Sequence, residues 1–425
     1  MKSLVQAQYA YAEDGDELRD EPLVVHQRTP ITANDKLVVF VHGLGGRRYG
    51  DSGTWGRFPR FLFEDLPDAD IGMYRYETGR ERFLSTTSVS LDKEARVFAD
   101  QIRDDLAGYK SIVLVGHSMG GLLCKAAIKV LLDTGMRNAV ARICGLMLMA
   151  TPQLGSLRMP RFLQAFSSDA RALAPHGSLI TAINQTFEDQ VALDESVATL
   201  RKVTIPTWAV EGVSDIWVDP LSSGIGLTSS RRRVVRGSHT SIVKPPDKTA
   251  DAYRWVKDRI VKALLRYKHD VFIAAAMAGH AGDEQYKKSR DAVKALKATL
   301  EKENGFRSVF YAGENIDSQK KFDDEALALQ TDLATMRASK NFILYYPGST
   351  VTSALFEAGW ALVLGKPSIY IVRNRKDLPY LLNNASQAFK EQRVRVFEYP
   401  DDETMLTKIA EHRDGLFSYK DALPE

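Results

Sequence analysis

Ser118 stands at the centre of Gly116-His117-Ser118-Met119-Gly120, a G-x-S-x-G pentapeptide. The pentapeptide follows the apolar run Ile112–Val115 directly and opens an amphipathic stretch, so the serine falls at a strand–turn–helix corner. Flanking glycines let strand and helix approach closely at such a corner, and the helix N-terminus aims N–H groups at a developing oxyanion. The chemistry implied is acyl transfer through a covalent serine intermediate. That chemistry needs a base and an acid to orient it, in the chain order serine, acid, histidine. His239, in Gly237-Ser238-His239-Thr240-Ser241, comes shortly before the final helix of this half, where the base belongs. His176 lies in a polar insertion and reads as a surface residue. The acid should follow the strand Val203–Val210. Asp215 fits best, Asp219 is the alternative, and Glu211 sits close to the strand. In these roles Ser118 attacks the acyl carbon, His239 takes and returns the proton, and Asp215 holds the imidazole tautomer.

A second glycine-rich segment, His42-Gly43-Leu44-Gly45-Gly46, follows the apolar run Leu37–Val41. The N–H groups of Leu44 and Met119 form the expected oxyanion hole.

The C-terminal part holds another isolated group. From Asn341 to Gly365 the only charged side chain is Glu357. A carboxylate in an apolar helix is either satisfied structurally or does chemistry, and both readings stay open. Ser353 precedes it by one helical turn on the same face.

The elements that must carry these residues follow from hydropathy. Apolar runs alternate with amphipathic stretches, the pattern of α/β architecture. Strands are expected at 37–41, 112–115, 143–149 and 203–210, the last carrying an edge-type Pro206, with helices at 93–106, 118–132 and 252–267. The pattern then restarts. Strands at 271–276, 308–312, 342–346, 368–372 and 394–399 alternate with helices that include 283–304, 322–339 and 353–364. The last is apolar nearly all round and is expected to be buried. Two domains result, 1–267 and 268–425, and a single continuous sheet is the alternative. An insertion at about 153–201 carries Leu157, Met159, Phe162, Leu163 and Phe166, either as a lid that meets lipid or as a cap helix packed on the core.

Composition bounds the rest. The 425 residues carry 57 Lys+Arg against 54 Asp+Glu, a formal charge of +3, so bulk charge makes no case for nucleic-acid binding. Residues 1–266 hold 35 basic and 31 acidic side chains, so neither half is a polybasic module. Any recognition of an anion must come from placed groups such as helix N-termini and Arg231–Arg233. Two cysteines, Cys124 and Cys144, exclude a disulfide framework and a cysteine-rich zinc site, and read as buried thiols. No metal site is expected. The N-terminus lacks the apolar core of a signal peptide, and no apolar run of membrane-spanning length occurs, so a cytoplasmic protein is expected.

The segments VHGLGG…TW, VGHSMGG and MATPQLGS resemble the lipase-like branch of the α/β-hydrolase fold that includes GPI-inositol deacylases, over roughly residues 35–265. The resemblance implies carboxylester hydrolysis, with glycerolipids as substrates and no cofactor required. SALFEAGWALVLGKPSIYIV resembles nucleoside 2-deoxyribosyltransferase-like domains and is similar to bacterial Toll/interleukin-1-receptor-like (TIR-like) domains, over about residues 269–413. That implies a flavodoxin-like sheet of five parallel strands and a nucleotide site. There Glu357 would handle a ribose, with Ser353, Met277, Ala278, Gly348, Ser349 and Tyr311 lining the pocket, and Asp317 beside them. The 347–349 loop lacks the Asp-Gly of the transferases, which weakens transferase chemistry against ligand binding. The pairing resembles bacterial antiphage effectors. It implies an esterase switched on by an NAD-derived or cyclic nucleotide ligand, with self-association on activation and peripheral membrane contact. The alternatives are an NAD glycohydrolase acting through Glu357 and a non-enzymatic scaffold.

Overall fold

Runs of valine, isoleucine and leucine without polar alternation suit strands buried on both faces, and such strands pair in parallel. β3 (Lys36–Val41) is of this kind, buried from Leu37 onward. The computed structural model describes residues 6–8, 21–27, 34–46, 53–76, 91–154, 178–199, 201–218, 220–277, 280–318, 325–348, 352–389 and 393–418. They fall into two compact units. The first holds the described residues up to Val197 together with Thr204–Leu264, and the second holds Ala198–Val203 and the described residues from Leu265 onward. The hexapeptide Ala198–Val203, read with the first half in the sequence, thus goes with the second.

The first unit is built on an eight-stranded sheet. Its strands are β1 (Gln6–Gln8), β2 (Leu23–Gln27), β3, β4 (Asp70–Tyr74), β5 (Ser111–His117), β6 (Ile143–Met149), β9 (Thr207–Gly212) and β10 (Arg232–Val235). Their order across the sheet is β1-β2-β4-β3-β5-β6-β9-β10, and only β2 and β4 run antiparallel. Short strands β7 (Val191–Ala192) and β8 (Val203–Thr204) lie outside it. The helices are α1 (Phe58–Asp65), α2 (Leu91–Arg103), α3 (Met119–Asp133), α4 (Arg137–Ala141), α5 (Ser178–Gln190), α6 (Pro220–Ser223) and α7 (Asp251–Leu264). α7 packs on β5 and β6 through Tyr253, Val256 and Ile260, all fully buried, and Phe40, Trp55 and Phe58 extend the same core.

The strand expected at 203–210 is two elements. Pro206 has no N–H for a ladder and separates β8 from β9, though its carbonyl still accepts from Leu146 N at 2.9 Å. β9 is not an edge strand, since it lies between β6 and β10.

The second unit has its own sheet, all parallel, ordered β12-β11-β13-β14-β15. Its strands are β11 (His269–Ala275), β12 (Val309–Tyr311), β13 (Ser339–Tyr346), β14 (Ser368–Val372) and β15 (Val394–Glu398). Counted within the unit, that is the 2-1-3-4-5 order of flavodoxin-like sheets. Helices α8 (Asp283–Lys302) and α12 (Asp402–Glu411) cover one face. α9 (Glu325–Arg337), α10 (Ser353–Val363) and α11 (Tyr380–Ala388) cover the other. Truncating Phe272, at 1 % exposure in this core, to alanine should cost about 3–5 kcal/mol.

α10 corrects an expectation. It is not buried all round: Phe356 is 61 % and Val363 76 % exposed. Its inner face is Ala354, Ala358 and Ala361, small side chains that bring the helix close to the sheet and turn the bulky ones outward.

Candidate active site

Ser118 joins β5 to α3 with φ 54° and ψ −124°, a conformation that costs free energy in any residue but glycine. The glycines around it are steric requirements. A Cβ on Gly116 would collide with the Gly121 backbone, and one on Gly120 with the carbonyls of Val41 and His42. The Ser118 N–H donates to the Met149 carbonyl at 2.9 Å, tying the turn to the end of β6. The serine is 4 % exposed.

Met119 is the first residue of α3, so its N–H is among those with no intrahelical acceptor. The loop bearing Leu44 lies beside the serine: a Cβ on Gly43 would stand 2.9 Å from Ser118 Cβ. Gly45, at φ +68°, completes a turn closed by Gly46 N donating to the Gly43 carbonyl at 3.1 Å. His42 fixes the loop. Its Nδ1–H donates to the Gly43 carbonyl at 2.8 Å, while its Nε2 accepts from Tyr76 N at 3.4 Å. The Tyr76 hydroxyl donates to the His42 carbonyl at 2.9 Å, and the two rings stack at 4.6 Å.

The structure brings Asp215 and His239 together: Nδ1 and Oδ2 are 2.9 Å apart. The other Asp215 oxygen accepts from the N–H groups of Trp217 at 2.8 Å and Val218 at 3.1 Å. Burial alone would raise this carboxyl, but His239 and the two backbone donors hold it below the ordinary carboxylate range. The loops of Asp215 and His239 are also joined through backbone, Ser214 N donating to the Gly237 carbonyl at 3.0 Å. Glu211 is committed elsewhere: it is buried at the end of β9 and pairs with Arg232, Nη2 to Oε1 2.9 Å. Asp219 and His176 lie outside the described residues.

His117 is a further member of this cluster that the sequence reading did not single out. Its Nε2–H donates to the His239 carbonyl at 2.9 Å, with the two rings 4.8 Å apart. Burial, then the neighbouring His239, pushes it down to about 3, so its ring is neutral at physiological pH. Its buried Nδ1 faces Gly43 and has no hydrogen-bond partner among the described residues. His117 therefore belongs to the strand–helix turn and touches both the Gly43 loop and the His239 loop. The G-x-S-x-G pattern leaves its second position open and carries no signal for this role.

Arg231, Arg232 and Arg233, expected as an anion-binding cluster, each pair with a carboxylate: Asp194, Glu211 and Asp251. Cys124 and Cys144 are free and buried. Leu157, Met159, Phe162, Leu163 and Phe166 lie outside the described residues. The described end of that insertion, α5, packs against α3.

In the second unit, Met277 and Gly348 follow the adjacent strands β11 and β13 at their C-terminal ends, where open α/β sheets bind ligands. Ala278, Gly279 and Ser349 lie outside the described residues. Ser353 and Glu357 share a face of α10, and Ser353 favours the ionised form of the Glu357 carboxyl. Burial, then the Asp332 carboxylate on α9, pushes Glu357 up to about 8, against the effect of Ser353. One expectation changes here. Tyr311 packs in the α8 and α12 layer, so the sheet separates its ring from α10. Lys366 of the G-K-P segment is a structural group, its Nζ donating to the carbonyls of Arg337 at 3.1 Å and Ser339 at 2.5 Å beyond the end of α9. Ile316, before Asp317, is held by Tyr286 and Arg290, which donate to its carbonyl. Among the described residues, no group of three His, Cys, Asp or Glu side chains could hold a metal ion. No helix among them is long and apolar enough to cross a membrane.

A model of the alpha/beta hydrolase family matches residues 38–293, which include Ser118, Asp215 and His239. Protein SERAC1 of Danio rerio is 24 % identical over 272 residues, 55 % of this chain but 40 % of that protein's length. Among solved structures, the monoacylglycerol lipase of Paleococcus ferrophilus is 16 % identical with a TM-score of 0.36, covering 53 % of this chain and 94 % of its own. Phospholipase PlaB of Legionella pneumophila is 16 % identical with a TM-score of 0.40, covering 61 % and 64 %. The lipase BlEst2 of Bacillus licheniformis is 13 % identical with a TM-score of 0.38, covering 55 % and 97 %.

Proposed function

The chain belongs to the alpha/beta hydrolase family, and from that premise we propose that it is a serine carboxylester hydrolase with Ser118 as nucleophile. The observation that carries the reading is the 2.9 Å His239–Asp215 pair, held by His117 beside a serine in a strained turn. His239 takes the Ser118 proton as the hydroxyl oxygen bonds to the acyl carbon. The carbonyl electrons move onto oxygen, facing the N–H groups of Leu44 and Met119. His239 returns the proton to the departing alcohol, and water then releases the acid by the same route. A lipid ester, acted on with peripheral membrane contact, is the proposed substrate class. Its support is the sequence resemblance and the apolar insertion. The test is hydrolysis of acyl esters and glycerolipids by the full chain and by Ser118→Ala.

The second unit is proposed to bind an NAD-derived or cyclic nucleotide that controls the esterase. One observation favours binding over NAD glycohydrolase chemistry. A carboxyl raised to about 8 is largely protonated at neutral pH, whereas an oxocarbenium-like transition state calls for an ionised carboxylate. Ester hydrolysis assayed with and without such ligands tests control, and nicotinamide release from NAD tests the alternative. The antiphage setting and self-association on activation rest on the pairing of domain types alone.

A further inference from the structure

Lys125, on α3 two turns beyond Ser118, is 4 % exposed, and among the described residues no carboxylate pairs with it. Its Nζ donates to Gln153 Oε1 at 3.0 Å and to Asn184 Oδ1 at 2.8 Å, and lies 4.6 Å from the centroid of the Phe187 ring. Two acceptors and a π face thus meet the N–H bonds of this Nζ. The acceptors themselves are fixed. Asn184 Nδ2 donates to the Gln153 carbonyl at 2.8 Å, and Gln153 Nε2 donates to the Ser223 carbonyl at 2.7 Å. Leu154 N donates to Ser222 Oγ at 2.9 Å. Gln153 follows Thr151, whose side chain packs on Gly121 of the elbow helix. This buried polar network therefore joins α3, the start of the 153–201 insertion, α5 and α6.

We propose that Lys125 is a positioning residue that fastens the cap. Through Gln153 and Asn184 it holds both described ends of the insertion against the nucleophile's helix, and so sets the wall met by the acyl group of the substrate. A hydrophobic helix pair would supply adhesion alone. A buried amine with neutral acceptors supplies register, because a shift of α5 by one residue takes the Asn184 acceptor from Lys125 and the Asn184 donor from the Gln153 carbonyl at high cost.

The inference rests on the ester-hydrolase reading, and the test separates the two. Hydrogen–deuterium exchange on the full chain needs no substrate. In Lys125→Met and in Asn184→Ala, amides of 178–190 are expected to exchange about tenfold faster or more, with β5 unchanged. Kinetics with p-nitrophenyl esters from acetate to dodecanoate reads the consequence. KM for the long ester is expected to rise about fivefold or more, with a smaller change in kcat for the acetate. Asn184→Ala changes the cap side alone and keeps the question open to measurement if Lys125→Met fails to fold. Unchanged exchange in both variants, or a uniform loss of kcat at every chain length, overturns the proposal. Wild-type protein inert toward every ester overturns the hydrolase reading, and the exchange result then decides the fastening by itself.

Discussion

His117 donates its Nε2–H to the backbone carbonyl of His239 at 2.9 Å, so the residue before Ser118 holds the residue that pairs with Asp215. The contact spans 122 positions of sequence. It ties the His239 loop to an uncharged, buried ring that neighbours Ser118 in the chain.

His117→Phe keeps a ring and removes the donor, whereas His117→Gln keeps an N–H at a similar reach. Phe at this position is expected to lower kcat about 10-fold or more with little change in KM, and Gln to restore most of it. Equal rates for both variants would remove the positioning role.

Asp215→Asn should leave the fold in place and reduce kcat by about 10³–10⁴, because the amide favours the wrong imidazole tautomer. Steady-state kinetics with a soluble ester measures this. Glu211→Gln, which changes a group paired with Arg232, is expected to affect thermal stability more than kcat.

Lys125 links stability to pH. Burial lowers it to about 7 from 10.5, and the groups facing it, Gln153, Asn184 and Phe187, do not titrate. Between these values the unfolded chain holds the proton and the folded chain has released it, so this residue makes stability rise as pH increases through that window. Below about 7 both states carry the charge and the full desolvation penalty applies. Denaturant melts of wild type and Lys125→Met across pH 6–10 are expected to show the rise in wild type and a flatter profile in the variant.

Glu357 works in the opposite direction. Its folded value is about 8 against 4.5 for the free carboxyl, so the folded state holds the extra proton between them. Its contribution is fully present below 4.5 and is lost as pH rises through 8. Melting temperatures of Glu357→Gln are expected to exceed wild type at pH 9 and to match it near pH 4. The reverse order would place a cation beside this carboxyl.

The elbow was legible in the sequence because its chemistry is local: a strand, a strained turn and two glycines lie within ten residues. Asp215 and His239 could be placed by chain order, since one loop supplies each. What escaped depends on distant partners. β2, β4 and β10 were not read: β4 carries Asp70 and Gly72 within its apolar residues, and β10 begins with Arg232 and Arg233. α10 was read as buried because its composition is apolar, yet its packing face is three alanines, whose small volume hydropathy does not register. The arginines at 231–233 resembled a free basic cluster until Asp194, Glu211 and Asp251 came beside them from other elements.

The central claim is that Ser118 is an activated nucleophile. The most direct measurement is labelling of the full chain with a fluorophosphonate probe, followed by peptide mapping and an ester-hydrolysis assay. The account predicts a single covalent adduct on Ser118 in wild type, with adduct and hydrolysis both lost in Ser118→Ala. Hydrolysis that persists in Ser118→Ala, or wild-type protein active on esters but unlabelled at Ser118, would contradict it.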